Sequence, residues 1–261
     1  MDASELLERA DRNLIEVNRE GARSTAGGIV HEEGGLAYFI PGHRFPVGMT
    51  GVMRTDRAVT AAETIARTRE FFAPRGHGYT FCLMAHRDAD LAEALEAEGV
   101  GRMSNSPGMA LDARLPDAPL PPGVTVEKVA GVTAAREFAD VSGSAYATMG
   151  MPPKIALKQF ADYRFFEQPH VAAFLARVGG APAAAAMVVV THGVAGIYWV
   201  GTTPEARGRG LAEACARIAG NAGFDMGAKV AALQASQMGE PIYRRMGYRE
   251  ITHYPWFVIM P

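Results

Sequence analysis

The sequence predicts a mixed α/β protein built from two domains in series, and three observations carry that reading. Windows with helical apolar spacing interleave with short strand-like windows along the whole chain. The stretch LPDAPLPPG at 115–123 places four prolines in nine residues, which excludes a helix or a central strand and reads as an interdomain linker. An internal likeness is the third. EALEAEGVGRMSNSPGMAL and PIYRRMGYREITHYPWFVI share the order helix, glycine, strand and proline, with Gly99 to Pro107 and Gly247 to Pro255 both eight apart. The domains are therefore expected at 1–114 and 124–261, as two copies of one unit.

Residues 4–23 are expected to be helical, with Leu6, Leu7, Ala10, Leu14, Ile15 and Val17 near one face. Strand-like pieces follow at 28–32, 36–41 and 46–54, then a helix at 58–73 and a strand at 79–84. A helix at 89–98 stops at Gly99. After the linker come a strand, VTVEKV, a helix at 133–148, and PPKIALKQFADYRFF, whose prolines suit a helix start. Strands at 171–178, 182–190 and 194–202 are joined by turns at Gly179-Gly180 and Thr191-His192-Gly193. A glycine turn and helix, a strand at 229–235, a short helix at 241–246 capped by Gly247 and a strand-rich tail complete the chain.

Composition narrows the function. Apolar content of 48% and charged content of 21% suit a packed soluble protein, and 26 basic against 28 acidic residues favour neither nucleic acid nor an anionic membrane. APAAAAMVVV, the longest apolar run, is too short to span a bilayer. The acidic, amphipathic N-terminus is unlike a signal peptide, and Cys82 and Cys215 form no CxxC pair, so a cytoplasmic location is expected. HEEGG at His31 is not HExxH, no GxSxG occurs, and no metal spacing is found.

The informative stretch is VGTTPEARGRGLA, where a strand hands over to a helix through Gly208-Arg209-Gly210. A helix start carries unpaired N–H groups and partial positive charge, so glycines there admit a phosphate and arginines suit its charge. A surface turn with glycines for steric reasons is the plain alternative. The helix itself is well marked, with Leu211, Cys215, Ile218 and Ala222 on one face. A Walker A loop needs Gly-Lys, and none of the four lysines follows a glycine. A dinucleotide fingerprint needs a third Gly or Ala, but that position is Glu213.

Arg207-Gly208-Arg209-Gly210-Leu211-Ala212 resembles the coenzyme motif of the GNAT N-acetyltransferase superfamily, Gln/Arg-x-x-Gly-x-Gly/Ala after a strand. LQASQMGEPIYRRMGY resembles a second motif of that family, a strand and then a short helix with a tyrosine four residues before a glycine. The resemblance covers about 124–261. It implies a tandem GNAT protein: two domains, each a mostly antiparallel mixed sheet flanked by helices, with acetyl-CoA as donor and a primary amine of a small molecule or peptide as acceptor. Backbone groups of Val200, Gly201 and Thr202 would hold the pantetheine arm. The turn from Gly208 to Ala212 would hold the pyrophosphate, with Arg207 and Arg209 nearby.

Tyr243 matches the family's acid to the departing thiolate, a transfer uphill by about 2 kcal/mol on ordinary phenol and thiol values. Ser236 stands where the family often has an asparagine on the coenzyme. Tyr146, Met149 and Met151 could line an adaptable acceptor pocket. No general base stands out: His192 reads as a turn residue, and Glu167 and His170 as structural. The N-terminal half has no glycine turn and carries Leu95 where spacing matches Tyr243, so it is expected to be a degenerate copy that walls off part of the acceptor site. The alternative is a non-catalytic module that senses CoA or binds a partner. Nothing in the sequence fixes the acceptor or excludes a homodimer.

Overall fold

A computed structural model describes residues 1–47 and 49–260. The elements run α1 (Ala3–Arg23), β1 (Ile29–Glu33), β2 (Leu36–Ile40), β3 (Gly51–Arg54), α2 (Ala61–Phe72), β4 (Tyr79–Cys82), α3 (Ala89–Ala97) and β5 (Arg102–Leu111) in the N-terminal half. The C-terminal half holds β6 (Val124–Lys128), α4 (Gly131–Ala147), α5 (Pro153–Gln159), β7 (Val171–Val178), β8 (Ala181–Thr191), β9 (Val194–Thr202), α6 (Leu211–Asp225), β10 (Val230–Gln234), α7 (Glu240–Met246) and β11 (Arg249–Ile259).

All strands join one sheet in the order β1-β2-β3-β4-β11-β5-β10-β9-β8-β7-β6. Only β3–β4 and β9–β10 run parallel among the described residues; every other pair is antiparallel. The mixed, mostly antiparallel α/β character is the one the sequence predicts. What it does not predict is the exchange at the centre. The last strand of the C-terminal half, β11, pairs with β4, and the last strand of the N-terminal half, β5, pairs with β10. Each half thus completes the other's sheet, with β11 and β5 side by side.

Strand alternation assigns the helices to faces. Ala185, Met187 and Val189 of β8 pack with Leu14 and Ile15 of α1 and Phe138 of α4. Ala184, Ala186 and Val188 turn the other way, onto Cys215 and Ala219 of α6. In the N-terminal half Leu36, Tyr38 and Phe81 pack with Ile65 of α2 and Leu91 of α3. The alanine run of β8 keeps both faces flat enough for close helix approach, and a Cβ at Gly223 of α6 would fall 2.3 Å from Ala195.

α1 crosses from one half to the other. Its buried Asn13 donates to the Val189 and Val194 carbonyls (3.0 and 3.2 Å) and accepts from the Tyr198 hydroxyl at 2.6 Å. The proline-rich stretch 115–123 has neither helix nor strand, yet it is tied to α6: Asn221 exchanges two 3.0 Å hydrogen bonds with the Leu115 backbone.

Two expected elements change. The strand expected over 46–54 is confined to Gly51–Arg54, and Pro46 contributes its carbonyl to the Thr80 hydroxyl at 2.6 Å instead of a ladder; position 48 lies outside the described residues. The helix expected over 152–166 stops at Gln159, because Asp162 accepts from the Arg164 N–H and starts a separate 3₁₀ turn at Tyr163–Glu167. No helix is long and apolar enough to cross a membrane among the described residues.

Candidate active site

The site grows from the point where two parallel strands part. β9 and β10 pair only over Val194–Gly196 and Val230–Ala232, so from Ile197 onward the edge of β9 that faced β10 has no strand beside it. A bulge turns β9 further. Met187 faces Tyr198 but Ala185 faces Gly201, and Trp199 within that irregularity has φ +52°. A left-handed backbone costs a large L-residue roughly 1–2 kcal/mol. Packing of the indole against Phe160 (4.9 Å) and Tyr146 (5.2 Å) offsets it.

The opening is a cleft of about 380 Å³ between the end of β9, the start of α6, the β10–α7 turn and the C-terminal end of α4. Val200, Gly201, Thr202, Arg207, Gly208, Gly210, Leu211, Ala212, Ser236, Tyr243, Tyr146 and Met149, all singled out from sequence, line it. Met151 lies behind, packed with Ile155, Ala156, Tyr146 and Trp199.

Gly208 and Gly210 have φ of +75° and +74°, the left-handed region in which only glycine sits without strain. A Cβ at Gly208 would meet nothing within 4 Å, so it is backbone conformation that requires glycine there, and the space beyond is open. Gly210 caps α6 without any side chain, which leaves the first-turn N–H groups of a fifteen-residue helix uncapped at the cleft. These residues fit a diphosphate: uncapped donors, partial positive charge and no side chain in the way.

The two arginines of the turn part company. Arg207 donates to Thr148 Oγ1 (2.8 Å), the Ala145 carbonyl (3.3 Å) and the Thr202 carbonyl (3.4 Å), clamping the end of α4 to the end of β9. Arg209 is exposed and stands outside the lining. Gly201 has a packing reason of its own, since a Cβ there would lie 2.6 Å from the Ala145 methyl. Ser236 accepts from the Gly239 N–H at 3.1 Å and so shapes the turn into α7, while its hydroxyl proton stays available to the cleft.

Tyr243 is buried on α7, edge-on to Tyr248 at 5.7 Å. Burial first, then the nearby phenols of Tyr146 and Tyr248, push its pKa far above the ordinary phenol range. Burial does the same to Tyr146, whose hydroxyl donates to the Val200 carbonyl at 3.4 Å. Met238, Gly239, Ile242 and Arg245 also line the cleft, and only the motif around Tyr243 marked their neighbourhood in the sequence. His170 is paired with Glu20 at 2.6 Å, and His192 sits in its turn at φ +53°; neither lines the cleft. The N-terminal half reaches the site's rear, where Phe45 packs against the cluster of Met151, Ile155 and Ala156.

The chain has the GNAT fold, to which these parted strands and this glycine turn belong. Residues 181–251, from β8 into β11 and including the glycine turn and Tyr243, match the family model described as an acetyltransferase (GNAT) domain. The chain is also similar in structure to a GCN5-related N-acetyltransferase from Kribbella flavida, with TM-score 0.73, 23% identity, and 97% of this chain and 95% of that one covered. A GCN5-related N-acetyltransferase from Sphaerobacter thermophilus gives TM-score 0.65 at 17% identity, covering 87% of this chain and 77% of that one. A tandem GNAT protein from the clavulanic acid biosynthesis pathway gives 0.59 at 13% identity, covering 99% and 94%. No curated protein matches the chain. Residues 181–251 thus match a GNAT domain model, within a chain that has the tandem GNAT fold over its length.

Proposed function

We propose that the protein is an N-acetyltransferase that moves an acetyl group from acetyl-CoA to a primary amine by direct transfer. The observation that carries this reading is the cleft, which gathers the uncapped start of α6, the unpaired edge of β9 and Tyr243 around one space. Acetyl-CoA, when bound, supplies an acyl group activated as a thioester. The α6 turn from Gly208 to Ala212 would hold its diphosphate, and backbone groups of Val200, Gly201 and Thr202 its pantetheine arm. Arg207 keeps α4 against β9, which fixes the width of the cleft, and Ser236 positions the turn that presents Tyr243.

Tyr243 holds a proton at its phenol oxygen. Burial raises its pKa and so favours the protonated form, from which it can donate. Its role is to protonate the leaving sulfur as the carbon–sulfur bond breaks, and water restores it afterwards. The same burial makes the phenol a weaker acid than in water, so a stronger hydrogen bond to developing thiolate charge must offset the cost. The N-terminal half supports the site from behind through α1 and Phe45 and supplies β5 beside β10.

The test is turnover of acetyl-CoA with a panel of amines, read as released thiol. Cys82 and Cys215 are buried with thiol pKa values pushed up to about 12, so the protein contributes no background. Tyr243→Phe is expected to lower kcat by about 100-fold or more while acetyl-CoA affinity holds. Unchanged kcat would remove Tyr243 from the chemistry.

A further inference from the structure

Resting on the transferase reading above, we propose that the acceptor is a weakly basic primary amine carried on an apolar body, seated between Met149 and Met238. These two methionines form the outer lips of the cleft, on the loop after α4 and the turn before α7, and they are 48% and 56% exposed. Unbranched thioether chains left in water at a cleft mouth make an adaptable apolar surface. Tyr146, Val200 and Ile242 continue that surface inward.

The charged groups of the lining argue against a polycation. Glu213 on α6 is held by Arg217 at 3.3 Å, Arg207 by the end of α4, and Arg245 on α7 by the Pro241 carbonyl at 3.1 Å. Among the described lining residues the single carboxylate is therefore already paired. A second ammonium group entering here would lose water without gaining a counter-ion.

Deprotonation sets the class of amine. Among the described residues, the ionisable groups facing the cleft are Arg207 and Arg245, the paired Glu213, and the phenols of Tyr146 and Tyr243, which burial keeps protonated. With the lining carboxylate paired to Arg217 and both phenols buried in their donor form, no unpaired base faces the amine among the described residues, so the acceptor must arrive as the free amine. At pH 7 roughly one α-amino group in seven is neutral, against roughly one alkylamine in 2,500. The nitrogen–carbon bond forms as the carbon–sulfur bond breaks; the nitrogen's surplus proton leaves to water and the sulfur takes one from Tyr243.

Four amines separate the possibilities: phenylalanine amide as α-amine, 4-ethylaniline as arylamine, 2-phenylethylamine as apolar alkylamine and spermidine as polycation. At pH 7 either or both of the first two should exceed the third at least tenfold in kcat/KM, with spermidine lowest, and the favoured one identifies the source of the weakly basic amine. The 2-phenylethylamine rate should climb nearly tenfold per pH unit from 7 to 9, while 4-ethylaniline stays flat. Met149→Glu should lower the favoured amine at least fivefold and raise spermidine. Preference for spermidine, equal rates for the three apolar amines, or an unchanged preference in Met149→Glu would overturn the proposal. Acetyl-CoA affinity is measured on the same samples: without binding the transferase reading itself fails, and binding without turnover of either weakly basic amine overturns the acceptor class alone.

Discussion

The two halves open their sheets in the same way and treat the opening differently. β3 and β4 pair in parallel over two positions and part, as β9 and β10 pair over three and part, and a helix follows β3 just as one follows β9. In the C-terminal half the gap is a cleft. In the N-terminal half the last residue of β3, Arg54, fills the corresponding place. Its buried guanidinium bonds to Asp88 (3.0 Å), Asp90 (2.9 and 2.5 Å) and the Val59 and Arg87 carbonyls (3.0 and 3.3 Å), tying the start of α2 to the start of α3.

The helix starts differ to match. Thr60 and Glu63 form a capping box that satisfies the first-turn donors of α2 from within, whereas α6 starts on bare Gly210. One opening is closed by the chain's own charges and caps. The other leaves its first-turn donors uncapped.

Arg54→Leu attacks the closed side and has the largest expected effect on stability. It strands Asp88, which is 1% exposed and whose pKa burial already raises, so unfolding by denaturant should show a loss of about 3–5 kcal/mol. Acetyl-CoA affinity should not improve, because the capping box stays in place. Gly208→Ala attacks the open side: the left-handed backbone should cost about 1–2 kcal/mol, and coenzyme binding should weaken with it, which calorimetry reads directly. Thr60→Ala removes the cap of α2 at about 1 kcal/mol with coenzyme affinity untouched. If affinity fell in Thr60→Ala, the contrast between the two helix starts would be wrong.

The smallest effect concerns pH. His43 is buried where the N-terminal half meets α5, and burial, more than the opposing influence of the neighbouring Gln159 side chain, lowers its pKa below the ordinary value near 6.5. The unfolded chain therefore takes up that proton first. The stability this neutral histidine contributes is full above about pH 6.5 and is lost as pH falls through the lower folded value. His43→Gln should flatten the fall in thermal midpoint between pH 6.5 and 5.

Local chemistry made much of this readable. The spacing of Leu6, Ala10 and Leu14 marks α1, Gly179-Gly180 and His192-Gly193 mark the hairpins, and the glycine turn with Tyr243 marks the cleft. What could not be read is set by partners distant in sequence. The exchange of β5 and β11 depends on two strands about 150 residues apart sharing one ladder, and a copy of either half alone would predict two separate sheets. Arg54 reads as an ordinary charged residue until Asp88 and Asp90 fold onto it. The bulge at Trp199 has no local cause in the sequence; Phe160 and Tyr146, both distant along the chain, hold it. Arg207 was readable as a basic residue at a phosphate turn, but not as a clamp on α4.

The claim that one half binds while the other is closed is tested most directly by titrating acetyl-CoA calorimetrically into the parent protein and into Gly210→Glu. One site per chain is expected in the parent and none in the variant, because a carboxylate would stand where the helix start awaits an anion. Two sites per chain, or binding that survives Gly210→Glu, would contradict it.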